Sequence, residues 1–280
     1  MNNGVLQQTK TVIVGLGKTG FACARFLKKR GVPVAVTDSR VNPPMVDRVQ
    51  DELPDLPMFL GGFDQQVLNQ AELIVLSPGV PVSEPAIAEA KSRGIPVIGD
   101  IELFARYAMA PVIAITGSNG KSTVTTLVGE MARAAGLKVA LGGNLGTPAL
   151  DLIEDEPPAY YVLELSSFQL ETVETLQPHA AVILNVSEDH MDRYEDINDY
   201  LEAKLQVFSG CGLVVANLDD QPLLVQIRAA LSERRWLTFS IDPEKNADFQ
   251  VCNKDGKRWI SYGEQQLLEA DQLRLPGTHN

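Results

Sequence analysis

The sequence predicts an α/β protein built as two units in tandem, and three observations carry that prediction. Short β-branched runs alternate with helical stretches from residue 11 onward. The run "TVIVGLGKTG" at 11–20 ends in Gly15-x-Gly17-x-x-Gly20, and "AITGSNGKSTVT" at 114–125 supplies a second glycine-rich loop of a different type. At 280 residues the chain also exceeds what one hydrophobic core usually supports. With 45% hydrophobic and 21% charged residues, its composition is that of an ordinary globular protein.

The first unit is expected over residues 1–109. Its strands are "TVIVG", "VAVTD", "LIVLSPG" and "PVIGD". Between them "FACARFLKKRG" and "EPAIAEAKSRG" place apolar residues at helical spacing and end on the glycine that commonly stops a helix. This βαβ rhythm implies a parallel sheet, and the glycine fingerprint at the first strand–helix turn makes the unit Rossmann-like. Such a turn lets backbone approach phosphate at a helix N-terminus. Asp38, closing the second strand, stands about where a ribose-binding acid belongs, but Ser39 and Arg40 follow it and could read a base or phosphate instead. NAD, FAD, another nucleotide and a merely tight turn all remain open on this pattern.

The second unit is expected over residues 110–280, as a P-loop ATPase-type α/β domain. "PVIAITG", "KVALGGN", "YYVLELSS", "AAVILNVS" and "GLVVANLD" are short and nearly continuous apolar runs, as strands buried on both faces should be. "FQVCNKDGKRWISYG" reads as a late β-hairpin around "NKDG". In the phosphate loop, Gly117, Ser118, Asn119 and Gly120 precede Lys121, Ser122 and Thr123. Glycines let successive N–H groups face phosphate, Lys121 reaches the β and γ oxygens, and Ser122 offers a hydroxyl to Mg²⁺. The strict pattern is broken by Ile115, which stands where the first glycine belongs. ATP or GTP is the expected ligand.

Three further features bear on chemistry. Glu164 ends an apolar strand where a carboxylate can face the loop's metal. "NVSEDHMDRY" at 185–194 packs Glu188, Asp189, His190 and Asp192 after the next strand, where open α/β sheets place their sites. Lys204 lies in the amphipathic stretch "INDYLEAKLQVF" and, by spacing alone, reads as a solvent-facing lysine.

Composition narrows the partners. A net charge of −12 without a basic run argues against nucleic acid. Cys23, Cys211 and Cys252 are scattered and odd in number, as in a reducing compartment. The start resembles no signal peptide, and no run approaches a membrane span, so a cytoplasmic protein without membrane insertion, taken as a monomer, is expected.

Taken in order, "GSNGKST", "LELSSFQLE", "NVSEDHMDRY" and "YLEAKLQVF" resemble the Mur ligases of bacterial peptidoglycan synthesis. "GLGKTG", "SPG", "SSFQLE" and "DHMDRY" resemble the members that add D-glutamate. The resemblance covers essentially the whole chain and implies three domains: one for the UDP-sugar, a central ATPase and a C-terminal one that brings the amino acid. The third is not recognisable here, and "LPGTHN" resembles the junction into it. The resemblance implies ATP-driven amide formation between UDP-N-acetylmuramoyl-L-alanine and D-glutamate through an acyl phosphate. The chain alone is expected to bind the UDP-sugar but to ligate little or not at all.

By the same resemblance, Lys121, Ser122 and the rest of 117–123 hold the triphosphate, and Asn280 contacts adenine. Two Mg²⁺ sites follow, the first on Ser122 and Glu164, the second on His190. Lys204 matches a lysine carbamylated by CO₂, which reverses its bland reading and makes it a metal-facing group. Gly17, Lys18, Thr19, Asp38, Ser39, Arg40, Ser77 and Gly79 match the uridine-diphosphate site, with Asn144 and Ser166 near the substrate's phosphates and reacting end. The expected catalytic residues are thus Lys121, His190 and Lys204.

Overall fold

The structure, a computed structural model, describes residues 9–231 and 233–273. It contains two sheets. The first has the order β3-β2-β1-β4-β5, from Thr11–Val14 (β1), Val34–Asp38 (β2), Met58–Leu60 (β3), Leu73–Leu76 (β4) and Val97–Gly99 (β5), all parallel. Strand order reverses at β1, so the C-terminal ends of β1 and β4 diverge into the crevice where such sheets bind ligands. Helix α1 (Lys18–Lys29) rises from that point. It closes on the first strand because Gly20 has no Cβ: one added there would lie 1.9 Å from the Gly15 carbonyl oxygen.

Beyond α1, the first unit carries α2 (Val46–Glu52), α3 (Gln65–Asn69) and α4 (Pro85–Ser92). Helix α5 (Asp100–Ala105) then leads to the second unit. The second sheet has the order β14-β13-β12-β11-β10-β9-β6-β8-β7. Its strands are Val112–Thr116 (β6), Val139–Gly143 (β7), Tyr160–Glu164 (β8), Ala180–Ile183 (β9), Leu213–Asn217 (β10), Arg235–Ser240 (β11), Phe249–Lys254 (β12), Lys257–Tyr262 (β13) and Gln265–Glu269 (β14). β7 to β12 run parallel, and the last three strands form an antiparallel meander. The expected hairpin is β12–β13. It turns on Asp255 and Gly256, both at positive φ, which is the conformation a two-residue hairpin turn demands.

Four helices serve the second sheet: α6 (Lys121–Ala134), α7 (Ser167–Leu170), α8 (Ile197–Leu205) and α9 (Gln221–Leu231). The two units share no strand, yet they share a core. Ile13, Phe26 and Val75 of the first unit belong to one buried cluster with Leu150, Tyr161 and Leu163 of the second, joined through Leu103 and Phe104 of α5. The Phe104 and Tyr161 rings meet edge to face at 5.0 Å, a geometry favoured by the ring quadrupoles. Polar contacts reinforce the seam. Buried Glu102 of α5 accepts the backbone N–H groups of Glu174 and Thr175 and the Thr175 hydroxyl, and Arg106 closes on its other side.

Candidate active site

Two of the described helices start directly after a glycine that opens a strand–helix turn, with no side-chain cap and no acid in the first turn. One is α1, preceded by Gly17, and the other is α6, preceded by Gly120 at φ +81°. Each therefore presents unpaired N–H groups and the positive end of its dipole to whatever lies in front of it, the local condition for holding phosphate.

The cleft in front of α1 measures about 480 Å³. Gly17, Lys18, Thr19, Asp38, Ser39, Arg40, Ser77 and Gly79 line it from the first unit, and Asn144 and Gln169 close it from the second. The sequence thus picked out a contiguous surface, although Asp38 does not stand free to accept a ribose hydroxyl. Its carboxylate is almost wholly buried, takes the Leu16 N–H at 2.6 Å and is gripped by the Arg40 guanidinium at 2.7 and 2.9 Å. Burial alone would raise its pKa, but Arg40 and the backbone N–H groups outweigh it and hold Asp38 below its ordinary value. Its visible task is to orient Arg40 at the cleft wall. Ser77 likewise works inward, donating to the Gly15 carbonyl at 2.8 Å.

At the second loop, Lys121 Nζ donates to the carbonyls of Gly117 and Ser118 at 2.9 Å each. Ser122 Oγ donates to Glu164 Oε2 at 2.7 Å, and Asn144 Nδ2 donates to Glu164 Oε1 at 2.8 Å. One hydrogen-bonded line, Asn144–Glu164–Ser122, therefore runs from the cleft to the phosphate loop. Asn144 belongs to both. Ser166 does not line the cleft; it caps α7 through a reciprocal capping box with Gln169, which does. Gln169 in turn donates to buried Asp100 at 2.8 Å.

Lys204 is where spacing alone misleads. On an isolated amphipathic helix it would face water, but α8 packs it beneath the phosphate loop, 1% exposed. There Nζ donates to the Gly117 carbonyl at 3.0 Å and lies 4.4 Å from the Tyr200 ring centroid. Burial, then the nearby charge of Lys121, depress its pKa to about 7, against a smaller opposing pull from Asp189. A substantial fraction is thus neutral amine near pH 7.

His190 lies half exposed on the 185–194 loop with its ring 4.8 Å from Phe168, and its backbone adopts φ +58°. Asp189 is 3.6 Å from its Nε2. Glu188 and Asp192, in the same loop, are exposed. The loop's beginning is fastened to the phosphate loop: Asn119 N–H donates to Asn185 Oδ1, and Ser187 N–H donates to Ser118 Oγ. Asn280 lies outside the described residues.

Comparison with known proteins decides the family. Residues 9–99 match the Mur ligase MurD-like N-terminal domain, and residues 115–280 match the Mur ligase middle domain. This chain belongs to the Mur ligase family. Among curated relatives, it is 51% identical over 270 residues to a UDP-N-acetylmuramoylalanine--D-glutamate ligase of Nitrosococcus oceani, covering 96% of this chain and 59% of that protein. It is 50% identical over 276 residues to the like-named ligase of Marinobacter nauticus, covering 99% and 61% respectively. This Mur ligase chain thus spans about 60% of the length of those relatives.

Solved structures agree on the fold. A UDP-N-acetylmuramate:L-alanyl-gamma-D-glutamyl-meso-diaminopimelate ligase from Neisseria meningitides superposes with a TM-score of 0.63 at 19% identity, over 97% of this chain and 89% of that one. A UDP-N-acetylmuramate-alanine ligase from Thermotoga maritima gives 0.56 at 20%, over 97% and 62%. No described helix of this Mur ligase is long and apolar enough to cross a membrane.

The donor set beside the phosphate loop suits Mg²⁺. Ser122 and Glu164 offer hard oxygens that already lie together. Among the described residues no three His, Cys, Asp or Glu side chains cluster as a self-sufficient metal cage.

Arg193, Glu171, Asp100 and Gln169 escaped the residue-by-residue reading. "SSFQLE" and "DHMDRY" contained three of them as motif letters, but only the fold shows that these letters meet.

Proposed function

We propose that this chain is the nucleotide-sugar and ATP-binding part of an ATP-dependent ligase that joins D-glutamate to UDP-N-acetylmuramoyl-L-alanine. The observation that supports the reading is the Asn144–Glu164–Ser122 line, which joins a wall of the cleft in front of α1 to the start of α6. A dehydrogenase needs only the first of these. A reaction in which a sugar-linked carboxylate meets the γ-phosphate of ATP needs both.

In this reading the cleft holds the uridine diphosphate, with Lys18 and Thr19 at the head of α1, Arg40 held by Asp38, and the Ser77–Gly79 turn as its floor. The lactoyl-alanine carboxylate reaches past Asn144 toward the phosphate loop. One of its oxygens attacks the γ-phosphorus, ADP leaves, and an acyl phosphate forms. The D-glutamate amine then adds to the acyl carbon, and phosphate departs with that oxygen. Residues 117–123 orient the triphosphate through backbone N–H groups, and Lys121 neutralises charge on the transferring group. Ser122 and Glu164 would hold one Mg²⁺, and His190, with Lys204 as its carbamate, a second; bound metal would offset phosphate charge. Lys204 suits carbamylation because it is buried and its pKa is lowered, so a neutral amine is available to attack CO₂.

D-Glutamate recognition is assigned to the portion of the relatives that this chain does not span. The chain binds the UDP-sugar in this reading, as a monomer in the cytoplasm. The test is isotopic. With the substrate carboxylate labelled by ¹⁸O, MgATP, D-glutamate and the protein at the full length of its relatives, one ¹⁸O should appear in inorganic phosphate for each amide formed. Amide formation with unlabelled phosphate would contradict the reading. Lys121→Ala should abolish both signals.

A further inference from the structure

We propose that Arg193 is a positioning residue that fastens the 185–194 loop to the wall of the nucleotide-sugar cleft, so that filling the cleft sets the loop against the phosphate loop. The inference rests on the functional reading above and concerns a residue that reading does not use.

The loop is anchored at both ends to different sites. At its start, Asn185 and Ser187 bond to the phosphate loop: Ser118 N–H donates to the Asn185 carbonyl, Asn119 N–H to the Asn185 side chain, and Ser187 N–H to Ser118 Oγ. At its end, Arg193 crosses between the units. One guanidinium nitrogen donates to the Pro78 carbonyl at 2.7 Å, and Pro78 lines the cleft. Another donates to Glu171 Oε2 at 2.8 Å, and the planar group lies 4.1 Å from the centroid of the Phe168 ring. Tyr194 completes the grip by donating its hydroxyl to Glu171 Oε1 at 2.6 Å.

His190 sits between these anchors. Its ring lies against the same Phe168, and its carbonyl accepts the N–H groups of Arg193 and Tyr194. Arg193 and Glu171 are each less than one-fifth exposed, so water competes little for the pair. The chemistry calls for arginine: a flat fork can serve a carbonyl, a carboxylate and a ring face at once, whereas a lysine ammonium is a point charge on a flexible stem. A shift of the Ser77-Pro78-Gly79 turn when the cleft fills would be passed to Arg193 and from it to the loop that touches Ser118 and Asn119.

The experiment measures binding and coupling by calorimetry on this chain. UDP-N-acetylmuramoyl-L-alanine and a non-hydrolysable MgATP analogue are each titrated alone and in the presence of the other at saturation. In the unaltered chain each ligand should tighten the other by about 5-fold or more, and by the same factor in both directions. Arg193→Ala and the milder Arg193→Lys should both reduce that factor to less than about 2-fold, with Glu171→Gln between. Thermal melts of Arg193→Lys near the unaltered Tm would show that packing survives. Full coupling in the arginine variants, or independent binding in the unaltered chain, would overturn the inference. A chain that fails to bind either ligand would overturn the functional reading itself, and this inference with it.

Discussion

At the scale of single residues, two buried ionisable groups make opposite statements about pH. Asp100 is 3% exposed, one of its oxygens has no partner among the described residues, and burial raises its pKa to about 6 despite the hydrogen bond from Gln169. Folded Asp100 therefore binds a proton more readily than unfolded Asp100 between about pH 4 and pH 6. Its contribution to stability is most favourable below that window and is lost as pH rises through the folded value. Asp100→Asn should raise Tm relative to the unaltered chain at pH 8, and the difference should shrink toward pH 4. A difference independent of pH would mean that the carboxyl is already ionised at little cost.

Lys204 carries the other statement. With its pKa lowered to about 7, the amine is largely neutral by pH 8. In ¹³C-labelled bicarbonate a carbamate carbon resonance should appear, strengthen between pH 6 and pH 8, and vanish in Lys204→Met. Retention of the resonance in that variant would place the carbamate elsewhere.

At the scale of elements, the strand–glycine–helix turns do most of the work, and they were also what the sequence disclosed best. Strands β1, β2, β4, β6 and β8 and helices α1 and α4 were visible because apolar runs ended on glycine or acid. β3, β11 and β14 were not. β3 is an apolar run of only three residues, and β11 and β14 are only partly buried, so polar residues interrupt their apolar runs. The phosphate loop was legible despite Ile115, because Gly120 and Lys121 keep their places at the helix start. The burial of Lys204 was not legible from helical periodicity, because it depends on α8 docking under a loop eighty residues earlier. The Arg193–Pro78 contact was hidden for the same reason. The element-level prediction concerns Gly20. An alanine methyl there would overlap backbone rather than a movable side chain. Gly20→Ala should therefore cost about 1–3 kcal/mol in urea melts, the usual range for overpacking, and should weaken ligand binding in the cleft. Gly17→Ala, with open space around it, should cost far less in stability.

At the scale of the molecule, two parallel sheets share one apolar core through α5 and one polar seam through Asn144, Glu164 and Ser122. That arrangement changes the meaning of the opening glycine fingerprint. A Rossmann-like turn whose second-strand acid is buried under Arg40 lacks the free carboxylate that would take a nicotinamide cofactor's ribose, and its cleft opens toward a second phosphate loop. The measurement that tests this most directly is calorimetric titration of the chain with UDP-N-acetylmuramoyl-L-alanine and, separately, with NAD. The account predicts saturable one-to-one binding of the UDP-sugar, weakened by Arg40→Ala, and no detectable heat from NAD. Saturable NAD binding with none to the UDP-sugar would contradict it.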